Sequence, residues 1–220
     1  MNTFLRRNTR ASKIPHRLKA FICQAVSALV AALTLLSGSI GTAGTPNQFL
    51  EPQKSITAPS GFIGLCNRYD WVCTQSDHAG LPAKATFKLA QKINLHVNRR
   101  VREVEDIRQY GREEHWTLPS LRGGDCEDFV LLKKKMLVER GVASDQLLIA
   151  TVLDKRLTSH AVLVLRTAQG DYILDNQNNR ILPWQDTGYT FLKLQDPGAL
   201  SNWHAIMVGG VITDYPTASK

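Results

Sequence analysis

The sequence predicts an α+β domain in which two helices pack on an antiparallel sheet. Two observations carry this. Apolar residues recur at helical spacing in the first half of the chain, and short β-branched runs separated by turn residues fill the second half. Helices first and strands afterwards is the pattern of segregated α+β architecture.

The first helix opens just after Pro82. From Ala83 onward Phe87, Ala90, Ile93, Val97, Val101 and Val104 fall three or four residues apart, on one helix face. Tyr110-Gly111 to Gly123-Gly124 reads as a loop tied down by Trp116 and Pro119. A second helix opens at Asp125 and runs to about Arg140, where Gly141 supplies the stop. Phe129, Leu132, Met136 and Leu137 are its inward positions, and Lys133-Lys134-Lys135 its solvated face. Leu147–Leu153, Ala161–Leu165, Tyr172–Leu174 and Tyr189–Leu194 are the strands, with a turn at Ala168-Gln169-Gly170-Asp171.

The ends of the chain have a different character. Of the formal net charge of +8, six positive charges (Arg6, Arg7, Arg10, Lys13, Arg17, Lys19) precede the first acid, and removing them leaves +2 for the rest. A body so near neutrality gives no electrostatic case for nucleic acid. The uncharged apolar run Ala20 to Leu36 follows the basic stretch, and small residues to Gly41-Thr42-Ala43 follow that run. These are the parts of a signal peptide over residues 1–43, cleaved after Ala43, or of an uncleaved inner-membrane anchor. Either reading places the body outside the cytoplasm, in the periplasm. Residues 44–60, rich in Pro, Ser and Thr, read as a linker or arm, and residues 61–220 as the domain. Cys66 and Cys73, with six residues between them, are expected to close a small disulfide loop in an oxidising compartment. Cys23 leaves with the signal. Cys126 then has no partner, so it is either an inert core thiol or a reactive one.

Three segments favour reactivity. In Gly123-Gly124-Asp125-Cys126-Glu127-Asp128 the glycines permit a sharp turn and Asp125 caps a helix. Cys126 then meets free N–H groups and the helix dipole, which favour a thiolate. His160 opens an apolar strand in Ser159-His160-Ala161-Val162, and Asp175 closes the next strand in Leu174-Asp175-Asn176. A hairpin bringing those two ends together would supply nucleophile, base and orienting acid. His78, His96, His115 and His204 are scattered and read as structural or surface residues.

Cys, His and Asp in that order, on helix, strand and strand, resemble the bacterial transglutaminase-like cysteine peptidases. The likeness runs from about Ala83 to Leu194. It rests on Tyr110-Gly111, His115-Trp116 with Pro119, Gly-Asp-Cys-Glu-Asp at 124–128, His160-Ala161-Val162-Leu163 and Leu174-Asp175-Asn176. The resemblance implies a papain/transglutaminase-like α+β fold, with the nucleophile helix packed on an antiparallel sheet. Cys126 would be the nucleophile, His160 the general base and Asp175 the orienting acid of an exported cysteine endopeptidase. In one branch of the family the enzyme frees large surface adhesins, needs calcium and is restrained by an inner-membrane receptor. By resemblance Asp125 and Glu127 would hold calcium, with Asp128 a further contributor. A cation there would offset three carboxylates that otherwise raise the thiol pKa. The alternatives are a transglutaminase-type acyltransferase and a non-catalytic calcium- or partner-binding module of the same fold.

Overall fold

Pro82 stands at the head of a helix as expected. In the computed structural model, which describes residues 47–212, that helix spans Ala83–Arg100 and buries Thr86, Ala90, Ile93, Asn94 and Val97. The segment read as a signal peptide or anchor lies outside the described residues. Among the described residues no helix is long and apolar enough to cross a membrane.

The helices, in chain order, are α1 (Leu65–Arg68), α2 (Ala83–Arg100), α3 (Asp106–Tyr110) and α4 (Cys126–Val138). The apolar stripe of α2 stops at Val97, and Val101 and Val104 lie beyond the helix. There the backbone takes other partners: Gly124 N–H donates to the Arg102 carbonyl, and Val104 N–H to the Gly124 carbonyl. The short helix α3 interrupts the expected loop and ends at Gly111, whose φ of 70° suits glycine.

Seven strands form one antiparallel sheet in the order β1-β7-β6-β2-β3-β4-β5. They are β1 (Ser55–Ile56), β2 (Leu147–Leu153), β3 (Ser159–Thr167), β4 (Gly170–Leu174), β5 (Leu182–Pro183), β6 (Thr190–Asp196) and β7 (Ala199–Val208). Strand β2 has the predicted bounds, β3 and β4 contain the predicted runs and extend beyond them, and β6 begins one residue later and ends two residues later than its run; β1, β5 and β7 are additions. Alternate residues of the central strands face opposite layers. Leu147, Ile149, Leu163 and Leu165 join the helices in one core. Leu148, Ala150, Val162 and Val164 join Leu50, Trp184, Phe191 and Ile206 in the other. Burial on both faces explains why β2 and β3 read as continuous apolar runs. The arm at 44–60 is docked where it is described: Leu50 is buried, and β1 pairs with β7 at the sheet edge.

Helix α4 packs between α2 and β3, and this overturns the solvated lysine face. Lys133 and Lys134 are both fully buried, and Lys135 alone reaches solvent, pairing with Glu139. Lys134 Nζ donates to the Leu147 carbonyl at 2.6 Å and to Gln195 Oε1 at 3.3 Å, so its charge is solvated by the sheet.

The Cys66–Cys73 disulfide is formed. Beside the loop it closes, Phe62 stacks edge-on against Trp116 and Trp203, with centroids 6.0 and 5.1 Å apart. Gly61 lies against the same indole, where a Cβ would stand 2.2 Å from Trp116 Cδ1. Trp116 is buried and has no room to retreat. Gly61→Ala is therefore expected to cost about 1–3 kcal/mol by overpacking. A urea midpoint lowered at constant m would show it; an unchanged midpoint would mean that the arm is not seated there.

Candidate active site

Helix α4 begins at Cys126, with Asp125 as the N-cap residue in extended conformation. The glycines before it are required by close approach. A Cβ on Gly124 would lie 2.4 Å from Asp128 Oδ2, and Gly123 has a φ of 124°. This tight entry sets the thiol at the helix N-terminus.

His160 is the second residue of β3, and Asp175 directly follows β4. The β3–β4 hairpin pairs Leu163 with Leu174, which brings the two functional side chains together. His160 Nε2 lies 2.9 Å from Asp175 Oδ1, and both residues are buried. Asp175 is also held by Tyr189 Oη, which donates to Oδ2 at 2.6 Å, and by the Gln177 N–H, which donates to Oδ1 at 3.0 Å. Burial alone would raise the Asp175 carboxyl, but these hydrogen bonds, led by that of His160, outweigh it and keep the acid below its ordinary value. The Tyr189 ring stands edge-on to the imidazole at 5.9 Å. Tyr189 was legible only as a strand residue; nothing in its spacing marked it as a partner of Asp175.

Cys126 and His160 line one cleft of about 290 Å³, together with Ser60, Trp116, Glu127 and Lys193. The cleft thus joins the helix N-terminus, the sheet and the docked arm. A larger hollow of about 500 Å³ reaches Asp175 and Tyr189 but not the thiol. Cys126 Sγ donates to Glu127 Oε2 at 2.9 Å. Without a metal, the thiol is pushed well up: burial is the main cause, then the charge and hydrogen bond of Glu127, with the Ala161 N–H working in the opposite direction. The helix N-terminus is therefore not enough by itself to make a thiolate here.

The carboxylates add to the effect of burial. Asp106, Asp125 and Glu127 each place an oxygen within 4.8 Å of the others. Burial first, then mutual repulsion, raises Asp125 to about 6 and Glu127 to about 8. Two expected ligands, Asp125 and Glu127, are in this cluster. Asp128 is not: its Oδ1 accepts the Thr117 N–H at 2.9 Å and anchors the loop carrying Trp116. Asp128 Oδ2 is buried without a hydrogen-bond partner. Asp106, from the first turn of α3, joins Asp125 and Glu127, and no spacing in the sequence singled it out. A cation fits this donor set. Asp106 Oδ1 and Asp125 Oδ1 are buried and have no hydrogen-bond partner, and all three donors are hard oxygens of the kind calcium takes.

Removing the Tyr189 hydroxyl tests the support of the acid. Tyr189→Phe leaves Asp175 Oδ2 without its partner and is expected to destabilise the protein by about 1.5–3 kcal/mol, the usual worth of a hydrogen bond to a charged group. A thermal melt equal to wild type would remove Tyr189 from the network.

An α+β fold in which a helix-terminal cysteine shares a cleft with a histidine bonded to an aspartate has the architecture of papain- and transglutaminase-type proteins. The family described as bacterial transglutaminase-like cysteine proteinase (BTLCP) matches residues 53–210, and the chain belongs to that family. No curated protein sequence matches it significantly. Among solved structures it is similar to LapG of Legionella pneumophila. One LapG structure is 25% identical, with a TM-score of 0.47, over 68% of this chain and 78% of that one. The calcium-bound form gives 25% identity and a TM-score of 0.45, covering 62% and 74%. The EGTA-treated form gives 26% and 0.44, covering 62% and 72%.

Proposed function

We propose that this chain is an exported, calcium-dependent cysteine endopeptidase acting on a protein substrate through Cys126, His160 and Asp175. The observation that carries the reading is the 2.9 Å His160–Asp175 contact, made by a histidine that lines one cleft with Cys126. Membership of a cysteine proteinase family supports the same reaction.

The chemistry follows from the positions. Asp175 holds Nε2–H of the imidazole and leaves Nδ1 to take the Cys126 proton. The thiolate attacks the scissile carbonyl, and the Cys126 backbone N–H, at the start of α4, faces the developing oxyanion. His160 returns the proton to the leaving amine, and a thioester joins the acyl half of the substrate to Cys126. Water, deprotonated by His160, then releases the acid and restores the thiol. Asp106, Asp125 and Glu127 would hold the calcium ion. Its contribution is charge: it neutralises the carboxylates that push the thiol up.

The basic, apolar and small-residue sequence of the first 43 residues and the Cys66–Cys73 disulfide support a periplasmic location. A large surface adhesin is the first substrate to offer the enzyme, and an inner-membrane receptor the first regulator; both come from the sequence resemblance.

The test is alkylation of the full chain by iodoacetamide, mapped to Cys126 by peptide mass, in calcium and then in EGTA. Fast labelling in calcium that slows in EGTA is expected. Equal slow labelling in both would overturn a calcium-dependent nucleophile.

A further inference from the structure

Helix α2 carries two asparagines among its inward residues. Asn94 and Asn98 stand four residues apart, one above the other on one face, in a mostly apolar stripe with Ala90, Ile93 and Val97. Asn94 is fully buried and Asn98 half-buried. Asparagine forms helices poorly, and burying an amide costs free energy unless hydrogen bonds replace those to water. What the two side chains hold is therefore informative.

They hold the loop that follows β4. The ladder of β4 with β3 ends at Leu174, and Asp175 is the first residue beyond it. Asn98 Nδ2 donates to the Asp175 carbonyl at 2.8 Å, and it also reaches the Asn178 carbonyl at 3.3 Å and Asn179 Oδ1 at 3.2 Å. Asn94 Nδ2 donates to the carbonyls of Asn178 and Asn179 at 2.9 and 3.2 Å. Carbonyls only accept, so the amide nitrogens must face them. The two amide oxygens are buried and have no hydrogen-bond partner among the described residues. It is as donors that the fold employs these side chains.

The geometry of the acid depends on the held loop. Residues 176–180 are neither helix nor strand, and Gln177, Asn179 and Arg180 are exposed. Asp175 Oδ1 nevertheless accepts the Gln177 N–H from within this loop at 3.0 Å, beside its 2.9 Å contact with His160 Nε2. A shift of the Asp175 backbone would carry the carboxylate away from the imidazole, and a shift of Gln177 would remove one of its donors. The Tyr189 hydroxyl holds only the other oxygen, Oδ2. Helix α2 also packs on α4, which begins at Cys126. Through Asn98 it ties the acid to the helix layer that carries the nucleophile.

We propose that Asn98 is a positioning residue of the triad acid: its side-chain amide holds the Asp175 carbonyl where the chain leaves β4, and so keeps the carboxylate within reach of His160 Nε2. It touches neither the thiol nor the imidazole, and it acts through Asp175. The inference rests on the Cys126–His160–Asp175 reading, and the experiment separates the two.

The experiment measures iodoacetamide labelling of Cys126 in the calcium-loaded full chain. The proteins are wild type, Asn98→Leu, Asn94→Leu, Asp175→Asn and the double variant Asn98→Leu with Asp175→Asn. Leucine keeps the shape of the side chain and removes the donor. Asn98→Leu is expected to slow labelling by about tenfold or more, since a catalytic group displaced by about 1 Å can lose that much. The double variant is expected to be no slower than Asp175→Asn alone, as for residues acting through one another. Asn94→Leu frees the carbonyls of Asn178 and Asn179 but leaves that of Asp175 held, so it should label near the wild-type rate even where its melting temperature falls. The spectroscopic signature is the His160 ring in ¹⁵N-histidine-labelled protein. Its Nε2–H, bonded to Asp175, is expected to exchange with water faster in Asn98→Leu than in wild type. Wild-type labelling and exchange by folded Asn98→Leu, equal slowing by Asn94→Leu, or losses that multiply in the double variant would overturn the role of Asn98 and leave the triad standing. Wild-type labelling by Asp175→Asn would overturn the triad itself, and this inference with it. If Asn98→Leu does not fold, Asn98→Ala takes its place, with the same expected and overturning results.

Discussion

Cys126→Ala is expected to abolish peptide-bond cleavage while leaving the fold intact. Loss of the nucleophile in a triad that acts as a unit lowers turnover by about a millionfold, and His160→Ala should match it because each residue is useless without the other. Asp175→Asn is expected to retain more, with a loss of about 10⁴, since the imidazole persists in the wrong tautomer. The fold should survive because Cys126 is only half-buried and its Sγ makes one side-chain hydrogen bond, to Glu127. The measurement is cleavage of denatured casein in calcium, followed by gel and intact mass, with far-UV circular dichroism in parallel. Wild-type cleavage by folded Cys126→Ala would sink the mechanism. Cleavage lost together with the circular dichroism signal would show that Cys126 is structural instead.

The parts of this site that were legible in the sequence are those set by local chemistry. Pro82 and Asp125 announced helix starts because a helix N-terminus has few acceptable residues. His160 and Asp175 could be placed at neighbouring strand ends because the Gly170 turn fixes a hairpin between them. The illegible parts depend on tertiary contact. Asp106 stands 19 residues before Asp125 and reaches it because the backbone after α2 pairs with Gly124. No spacing rule encodes that pairing. Lys133 and Lys134 read as solvated because three consecutive lysines usually are, yet α4 is enclosed by α2 and β3 and has too little free surface for them all. Strand β7 escaped notice because Ser201, Asn202 and His204 break its apolar pattern, although Trp203 and Ile206 are buried.

Calcium is expected to stabilise the EGTA-treated protein, and by more as pH rises. At a concentration a hundredfold above its dissociation constant, mass action contributes about 2.7 kcal/mol, which for a domain of this size raises the melting temperature by about 5–10 °C. The pH trend comes from the acid cluster. In the metal-free protein Asp125 and Glu127 are raised from 3.8 and 4.5 to about 6 and about 8, chiefly by burial. Groups shifted upward contribute stability that is fully present below their unfolded values and is lost as pH climbs through the folded ones. Chelated protein should therefore weaken across that window. Calcium binds the ionised oxygens and replaces the protons, so its gain should be larger at about pH 8 than at about pH 5. Asp106→Asn tests the ligand set that the structure defines. It removes one buried carboxylate, so the chelated protein should melt higher at the alkaline end while the calcium gain shrinks. Asp128→Asn should leave the calcium gain in place, because that carboxylate anchors the Thr117 N–H and lies outside the cluster. An equal calcium gain in Asp106→Asn and wild type would remove Asp106 from the site, and no gain in wild type would remove calcium altogether.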